Sequence, residues 1–463
     1  MKDTKETGSS IVLSKEQNRA FYQKVFALVI PMALQNLINV GVTAADVFML
    51  GKVSEVVLSA SSLAGQIQFI MTLIFFGITS GAAVLTAQYW GKRDTRSIEK
   101  VIGMALAISI SAAVLFTAAT QLFPYEIMRI FTDEESVIKE GVKYLRIVSV
   151  SYVFLSVTMV YLNIIRSIER VMISTIVYLI SLLVNVSLNY IFIFGHFGSP
   201  KMGIAGAATA TLIARIVEFI IVFIYAHIVN QTVKVRIRYL FKFDRILGRD
   251  FLVYSLPVIM NELLWGAGTS TNTAIIGHLG SSAVAANSIA QVARQLATIV
   301  CFGLCNATAI ILGKIIGEQK YGLAEIYAKK FVRLSILFGA FAAACILISR
   351  PFILNYMVLS EEARDYVIFM FYVMSYFTAA QAFNATIIVG VLRAGGDTKI
   401  GMVIDASTMW GGSILIGALA AFVMKWPVEI VYLFLMSDEL IKLPISTMRY
   451  KKRIWLKNVT RQM

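Results

Sequence analysis

Apolar runs long enough to cross a lipid bilayer recur along the whole chain, at roughly 23–50, 57–87, 100–122, 142–165, 171–195, 203–229, 250–279, 284–313, 325–349, 365–392, 399–424 and 427–448. A helical crossing takes about 20 apolar residues, so twelve would occupy about 240. The 463 residues are 58% hydrophobic and only 15% charged, against about 25% charged in soluble domains. The chain is therefore expected to be an all-α polytopic membrane protein of about twelve transmembrane helices. Several runs exceed the thickness of the hydrocarbon core, so tilted, broken or protruding helices are expected in place of upright rods.

Charge sets the orientation. The net charge of +15 would suggest nucleic acid in a soluble protein, but the basic residues lie between apolar runs, where positive-inside bias and anionic lipid explain them. They gather in Gly91-Lys92-Arg93-Asp94-Thr95-Arg96, Arg166 to Arg170, Lys234 to Arg249, Lys314 to Arg333 and Arg449 to Lys457, whereas Asp133-Glu134-Glu135 and Ser360-Glu361-Glu362 mark the opposite side. Both termini then face the cytoplasm of a multi-pass protein in the cell membrane. The N-terminal stretch Met1 to Arg19 is polar and has no short apolar core with a cleavage site, so the first helix is expected to stay in place.

An internal repeat divides the chain. Aligning Pro31 with Pro257, an offset of 226 (257 − 31), also pairs Gly51 with Gly277, Ala60 with Ala286, Phe76 with Phe302, Gly77 with Gly303, Gly91 with Gly317 and Glu99 with Glu325 without a gap. The expected layout is a cytoplasmic segment 1–22, a six-helix N-lobe 23–229, a basic linker 230–249, a six-helix C-lobe 250–448 and a basic tail 449–463. An even number of helices per half inserts both halves in the same orientation, and transporters built this way place substrate near the seam and alternate by rocking the halves.

Polar residues at membrane depth mark the candidate site. An acid at a helix centre costs on the order of 2.5–3.5 kcal/mol on insertion scales and is functional by default. Asp46 lies in the first helix and Glu262 in the seventh, and at the repeat offset their mates are Asn272 and Asn36. Burial disfavours the charged form, so each acid stays neutral until water, a cation or a basic neighbour arrives, which is what coupling to H+ or Na+ requires. Asn185 and Asn189 share one face of the fifth helix, with Thr211 in the sixth; together with Asp46 they supply hard oxygens for a small cation. Asn36, Asn261, Arg294 and Asn384 are candidates to line a cavity, Asp405 joins them, and Arg294 is a candidate partner for Glu262. Arg215 and Glu218 are spaced to pair along the sixth helix. Pro31 and Pro257 either bend the first helix of each half or sit in the first turn of a helix that starts late. Cys301, Cys305 and Cys345 and the three scattered histidines have no metal-ligand spacing, so no metal beyond Na+ and no cofactor beyond the coupling ion is expected. Neither a phosphate-cradling loop nor a nucleophile motif is present, which disfavours direct ATP use and catalysis.

Read together and in order, Pro31, Asp46 and Gly51, Gln88 to Gly91, Asn185 to Gly195, Gly203-Ile-Ala-Gly-Ala-Ala-Thr-Ala-Thr211, Pro257, Glu262 and Gly277, and Leu392-Arg-Ala-Gly-Gly-Asp-Thr-Lys399 resemble the multidrug and toxic compound extrusion family. Its superfamily also holds flippases for lipid-linked oligosaccharides. The resemblance runs from about residue 20 to 458. It implies a V-shaped pair of six-helix bundles, acting as a monomer in a bacterial membrane, that exports amphipathic or cationic small molecules in exchange for H+ or Na+. It places Asp46 as the N-lobe acid with Asn185 and Thr211 around it, and Glu262 as the acid of a C-lobe site. Many prokaryotic relatives have aspartate where this chain has Asn189, and one branch has aspartate in place of Asn384, which leaves open which ion is used and which lobe binds it. A flippase for a lipid-linked precursor is the alternative, and Arg294, as a source of positive charge in the cavity, is the residue that points to it.

Overall fold

A computed structural model describes residues 14–241, 244–356 and 359–461. The first 13 residues of the polar N-terminal segment, Lys242 in the linker and the last two residues of the tail lie outside the described residues. The N-terminal half forms α1 (Lys15–Gly51), α2 (Glu55–Gly91), α3 (Thr95–Leu122), α4 in two pieces (Glu135–Val148 and Ser151–Ser167), α5 (Met172–Phe194) and α6 (Ile204–Val229). The C-terminal half forms α7 (Arg245–Gly277), α8 (Ser281–Gly317), α9 (Tyr321–Tyr356), α10 (Glu361–Leu392), α11 (Thr398–Val423) and α12 in two pieces (Val428–Leu435 and Asp438–Lys451).

Ten of these helices are long and apolar enough to cross a membrane, and the two pieces of α4, bent by 55°, make an eleventh span. The twelfth departs from expectation. Instead of one apolar run over 427–448, α12 breaks at Met436 and Ser437 and buries Asp438, Glu439 and Lys442 in its second piece. Helix ends at membrane depth occur where their backbone is covered by protein or lines a cavity. α1 also starts earlier than the apolar pattern indicates. Ser14 and Gln17 form a reciprocal capping box, in which the Gln17 amide donates to Ser14 Oγ (3.1 Å) and the Ser14 amide to Gln17 Oε1 (2.9 Å), so the helix begins in a polar turn.

The two halves exchange ends. The first half of α1, from Phe21 to Met32, packs in a core with Leu304, Ile311 and Phe331 of the C-terminal half, whereas Leu50 at its far end packs among Val57, Ile138 and Ile204. α7 mirrors this, with Leu247 and Phe251 in the N-terminal core and Ile275 and Ile276 in the C-terminal one. Pro31 and Pro257 lie in the interior of these continuous helices, between the two packing environments, which rules out the first-turn reading. A proline there removes a backbone hydrogen bond at the place where the helix changes partners.

At the end where the basic loops gather, the seam is tight. A Cβ on Gly91 would fall 2.0 Å from the Lys314 carbonyl oxygen, and one on its repeat mate Gly317 would fall 2.0 Å from the Gln88 oxygen. Further along α2, Cβ atoms on Gly77 and Gly81 would meet Ile259 and Ser255 of α7 at 2.5 and 2.1 Å. Toward the opposite end, a Cβ on Gly41, Gly65 or Gly277 would have no described neighbour within 4 Å. Because the Gly91 contact is backbone and cannot swing away, Gly91→Ala is expected to destabilise the protein by about 1–3 kcal/mol, as overpacking does. Gly41→Ala should leave thermal unfolding unchanged or slightly raised; equal midpoints for the two variants would show that the lobes do not pack this way.

Ion pairs and the chain terminus reinforce the same end. Glu169, in the turn between α4 and α5, pairs with Lys24 of α1 and with Lys314 of α8 (2.7 Å). Burial pushes its carboxyl upward, but the two lysines overcome this and hold it below the ordinary range. The linker is docked rather than loose. Arg236 pairs with Glu99 at 2.7 Å, Lys100 with Asp244 at 2.8 Å, and Val233 and Tyr239 are buried. The tail crosses between the halves. Trp455 and Val459 are buried, the Val459 amide donates to Gln88 Oε1 (2.7 Å), Gln88 Nε2 donates to the carbonyls of Ala394 (2.7 Å) and Lys457 (3.2 Å), and Arg461 pairs with Asp250.

Candidate functional site

In the N-terminal half, the residues singled out from the sequence come together. α5 carries Asn185 and Asn189 one turn apart on a face turned to α1 and α6. Asn189 Nδ2 donates to Asp46 Oδ1 at 2.5 Å and to Asn185 Oδ1 at 3.1 Å, and Asn185 Nδ2 donates to Thr211 Oγ1 at 3.3 Å. Both asparagines are buried, Asp46 is half-buried, and Asn189 Oδ1 has no hydrogen-bond partner among the described residues. Arg215 and Glu218 pair at 2.7 Å along α6, as their spacing requires.

Among the described residues, three voids with shared lining residues run from the seam between the halves into the C-terminal half. The smallest, about 50 Å³, lies between Ser80, Asn163 and Arg166 on one side and Asn306 and Arg393 on the other. Next to it a cavity of about 180 Å³ is lined by Asn261, Glu262, Asn384, Arg393, Asp405 and Lys442, among others. Trp265, Gln381 and Glu439 border both this cavity and a third of about 290 Å³, which also holds Asn272, Asn287, Arg294 and Asp438. Asn36 is half-buried on α1 and borders none of the three.

Glu262 does not pair with Arg294. Its partner is Arg393, whose Nη2 donates to Glu262 Oε1 at 3.0 Å while Nη1 donates to Ser80 Oγ of α2, also at 3.0 Å. Arg393 is 4% exposed. Arg294 instead donates to Gln291 Oε1 (2.9 Å) and Gln381 Oε1 (3.1 Å). The backbone of α10 explains how Arg393 reaches the site. An α-helix turns about 100° per residue, which would set Asn384 and Arg393 on opposite faces. The wider turns over Thr386–Leu392 rotate less per residue and bring both to the same cavity.

The densest polar cluster involves residues that the apolar pattern of the last span conceals. Lys442 Nζ lies 3.2 Å from Asp405, 3.0 Å from Asp438 and 3.1 Å from Glu439. Asn261 Nδ2 donates to Asp405 Oδ2 (3.0 Å), Asn384 Nδ2 to both the carbonyl (2.7 Å) and a carboxylate oxygen (2.8 Å) of Glu439, and Ser446 Oγ to Asn384 Oδ1 (2.8 Å). The signal available was the spacing of Asp438, Glu439 and Lys442, three and four residues apart on one helical face.

A family model described as MatE matches residues 31–191 and, a second time, residues 257–419. The two matches begin at Pro31 and Pro257, in the register of the internal repeat. The chain belongs to the MATE family of multidrug transporters. Among MATE relatives, the "Probable multidrug resistance protein YoeA" of Bacillus subtilis (strain 168) is 23% identical over 406 residues, 87% of each chain. The "Probable multidrug resistance protein NorM" of Agrobacterium fabrum is 23% identical over 428 residues, 88% of this chain and 87% of that one. Two solved structures show the MATE fold: a Vibrio cholerae MATE transporter, VcmN, with a TM-score of 0.86 at 16% identity over 95% of this chain and 98% of that one, and a Pyrococcus furiosus MOP superfamily transporter described as having a binding pocket of reverse polarity, with a TM-score of 0.85 at 16% identity over 94% and 96%.

Proposed function

We propose that this MATE protein exports amphipathic or cationic small molecules across the cell membrane, as a single chain with both termini in the cytoplasm, in exchange for inward-moving H+ or Na+ and without any cofactor. The observation that carries this reading is Arg393, which bonds the acid Glu262 and, through Ser80, the opposite half of the molecule. While Glu262 is charged, the guanidinium is satisfied and the seam at the basic end is held. A cation arriving on Glu262 cancels the charge that keeps Arg393 in place. A buried cation without its partner is costly, and parting the halves relieves that cost by admitting water. A cationic substrate in the adjoining voids favours the charged acid and is favoured by it, so coupling ion and substrate oppose one another reciprocally. Asp46, held by Asn189, gives the N-terminal half a second acid of the same kind.

The flippase alternative finds no support in Arg294, because Asp438 and Glu439 line the same void and offset its charge. In proteoliposomes loaded with a cationic dye, an inwardly directed pH or Na+ gradient should accelerate dye loss, with collapse of the gradient abolishing the effect. Dye loss indifferent to both gradients would sink the antiport reading.

A further inference from the structure

Lys442 stands where a free cation would. Its ammonium is met by oxygens of three carboxylates on two helices, and its side chain is 5% exposed. Two of these carboxylates are held from outside the cluster through their other oxygens, Asp405 Oδ2 accepting from Asn261 of α7 and Glu439 Oε2 from Asn384 of α10. Convergent carboxylate oxygens braced by amides resemble a hard-ligand shell for a small cation. The shell opens onto two of the seam voids, and in the larger of them Asn272 Oδ1 and Asn287 Oδ1, both buried, have no hydrogen-bond partner among the described residues. The site is thus built for positive charge and reached by a cavity, yet its centre is filled by a side chain.

We propose that Lys442 is a tethered cation occupying the ion position of the C-terminal half, so that this half excludes Na+ and the ion it exchanges is a proton. This rests on the antiport reading above and decides which ion that half uses. The argument is one of competition and charge. A group attached to the chain acts at a high effective concentration and gives up no translational freedom on binding, so dissolved Na+ cannot displace it. The charged groups facing the two larger voids are Glu262 of α7, Arg294 of α8, Arg393 of α10, Asp405 of α11, and Asp438, Glu439 and Lys442 of α12, with the phenols Tyr376 and Tyr432 beside Asp438 and Arg294, while Arg166 of α4 lines the smallest void. Four carboxylates face three fixed cations. One proton on Glu262, the carboxylate outside the Lys442 cluster, brings these groups to neutrality and needs no vacant coordination shell, whereas Na+ would need the place that Lys442 holds.

Thermal unfolding of the purified protein in NaCl against choline chloride, at fixed ionic strength and pH, tests this without requiring transport. The unaltered protein should show no Na+-specific stabilisation that depends on Asp405. Lys442→Gln should acquire one, a saturable rise of a few degrees with Na+ concentration that the added change Asp405→Asn removes, because binding to the folded state alone stabilises it. Lys442→Arg, which keeps a tethered charge, should remain insensitive. If Lys442→Gln fails to fold for excess of negative charge, Lys442→Gln combined with Asp438→Asn removes one carboxylate and should give the same gain. Na+ stabilisation of the unaltered protein that is lost with Asp405→Asn but kept with Asp46→Asn would overturn the assignment, as would a folded Lys442→Gln or double variant blind to Na+. Failure of export in proteoliposomes would sink the antiport reading and leave this ion-binding result standing on its own.

Discussion

Glu262→Gln is expected to reduce gradient-driven efflux to the background of protein-free vesicles while leaving the protein folded. Glutamine can still accept a hydrogen bond from Arg393 Nη2, so the 3.0 Å contact survives in neutral form. What disappears is the charge on which a coupling ion acts. A ligand moves a two-state equilibrium only by its differential affinity, and going from 1:99 to 99:1 takes about 5.5 kcal/mol. Without a carboxylate at this position the ion has no such difference to contribute in the C-terminal half. Dye efflux under an imposed pH gradient, set beside the thermal unfolding midpoint, makes the measurement. Efflux at the level of the unaltered protein would mean that Glu262 plays no part in coupling.

Arg393→Met is expected to cost about 3–5 kcal/mol of stability, the usual consequence of removing one member of a buried ion pair. Two losses combine. Glu262 is left as an unpaired carboxylate at the wall of the cavity, and the bond from Nη1 to Ser80 across the seam is gone. Adding Glu262→Gln should restore a large part of the lost stability, because the side chain left behind is then neutral, but should not restore efflux. The two changes are therefore expected to be strongly non-additive, as they are for groups in direct contact. Chemical denaturation of the single and double variants in one detergent gives the cycle. A single variant as stable as the parent, or a double variant no better than the single, would show that the pair is not what holds this part of the seam.

The sequence predicts this architecture well where one residue type dominates a long window. Eleven of the twelve spans follow from apolar runs of about 20 residues or more, because a bilayer leaves few alternatives for such stretches. The N-terminal polar network was equally readable, since Asn185 and Asn189 are one helical turn apart and a lone acid in an apolar run is rare. The C-terminal site was not. Averaged over 427–448, the last span reads as apolar, and that averaging hides Asp438, Glu439 and Lys442 as well as the break that turns them inward. Choosing Arg393 over Arg294 as the partner of Glu262 required knowing how residues 131 positions apart meet, and the wide turns in α10 that settle it leave no periodicity in the sequence. The exchange of helix ends between halves escaped for a related reason: α1 and α7 are apolar throughout, and apolarity says nothing about which core receives each part.

The docking of the final residues has a bearing on the working cycle. Gln88, Tyr89 and Lys92 from one half and Asp250 from the other all bond to the segment between Lys457 and Arg461, and Gln88 also donates to the Ala394 carbonyl of the other half. Any opening at that end must first peel this segment away, and any return must reseat it. In the rocking cycle proposed above, the segment from Lys457 to Arg461 would thus set how long the transporter dwells with this end shut while handling neither ion nor cargo.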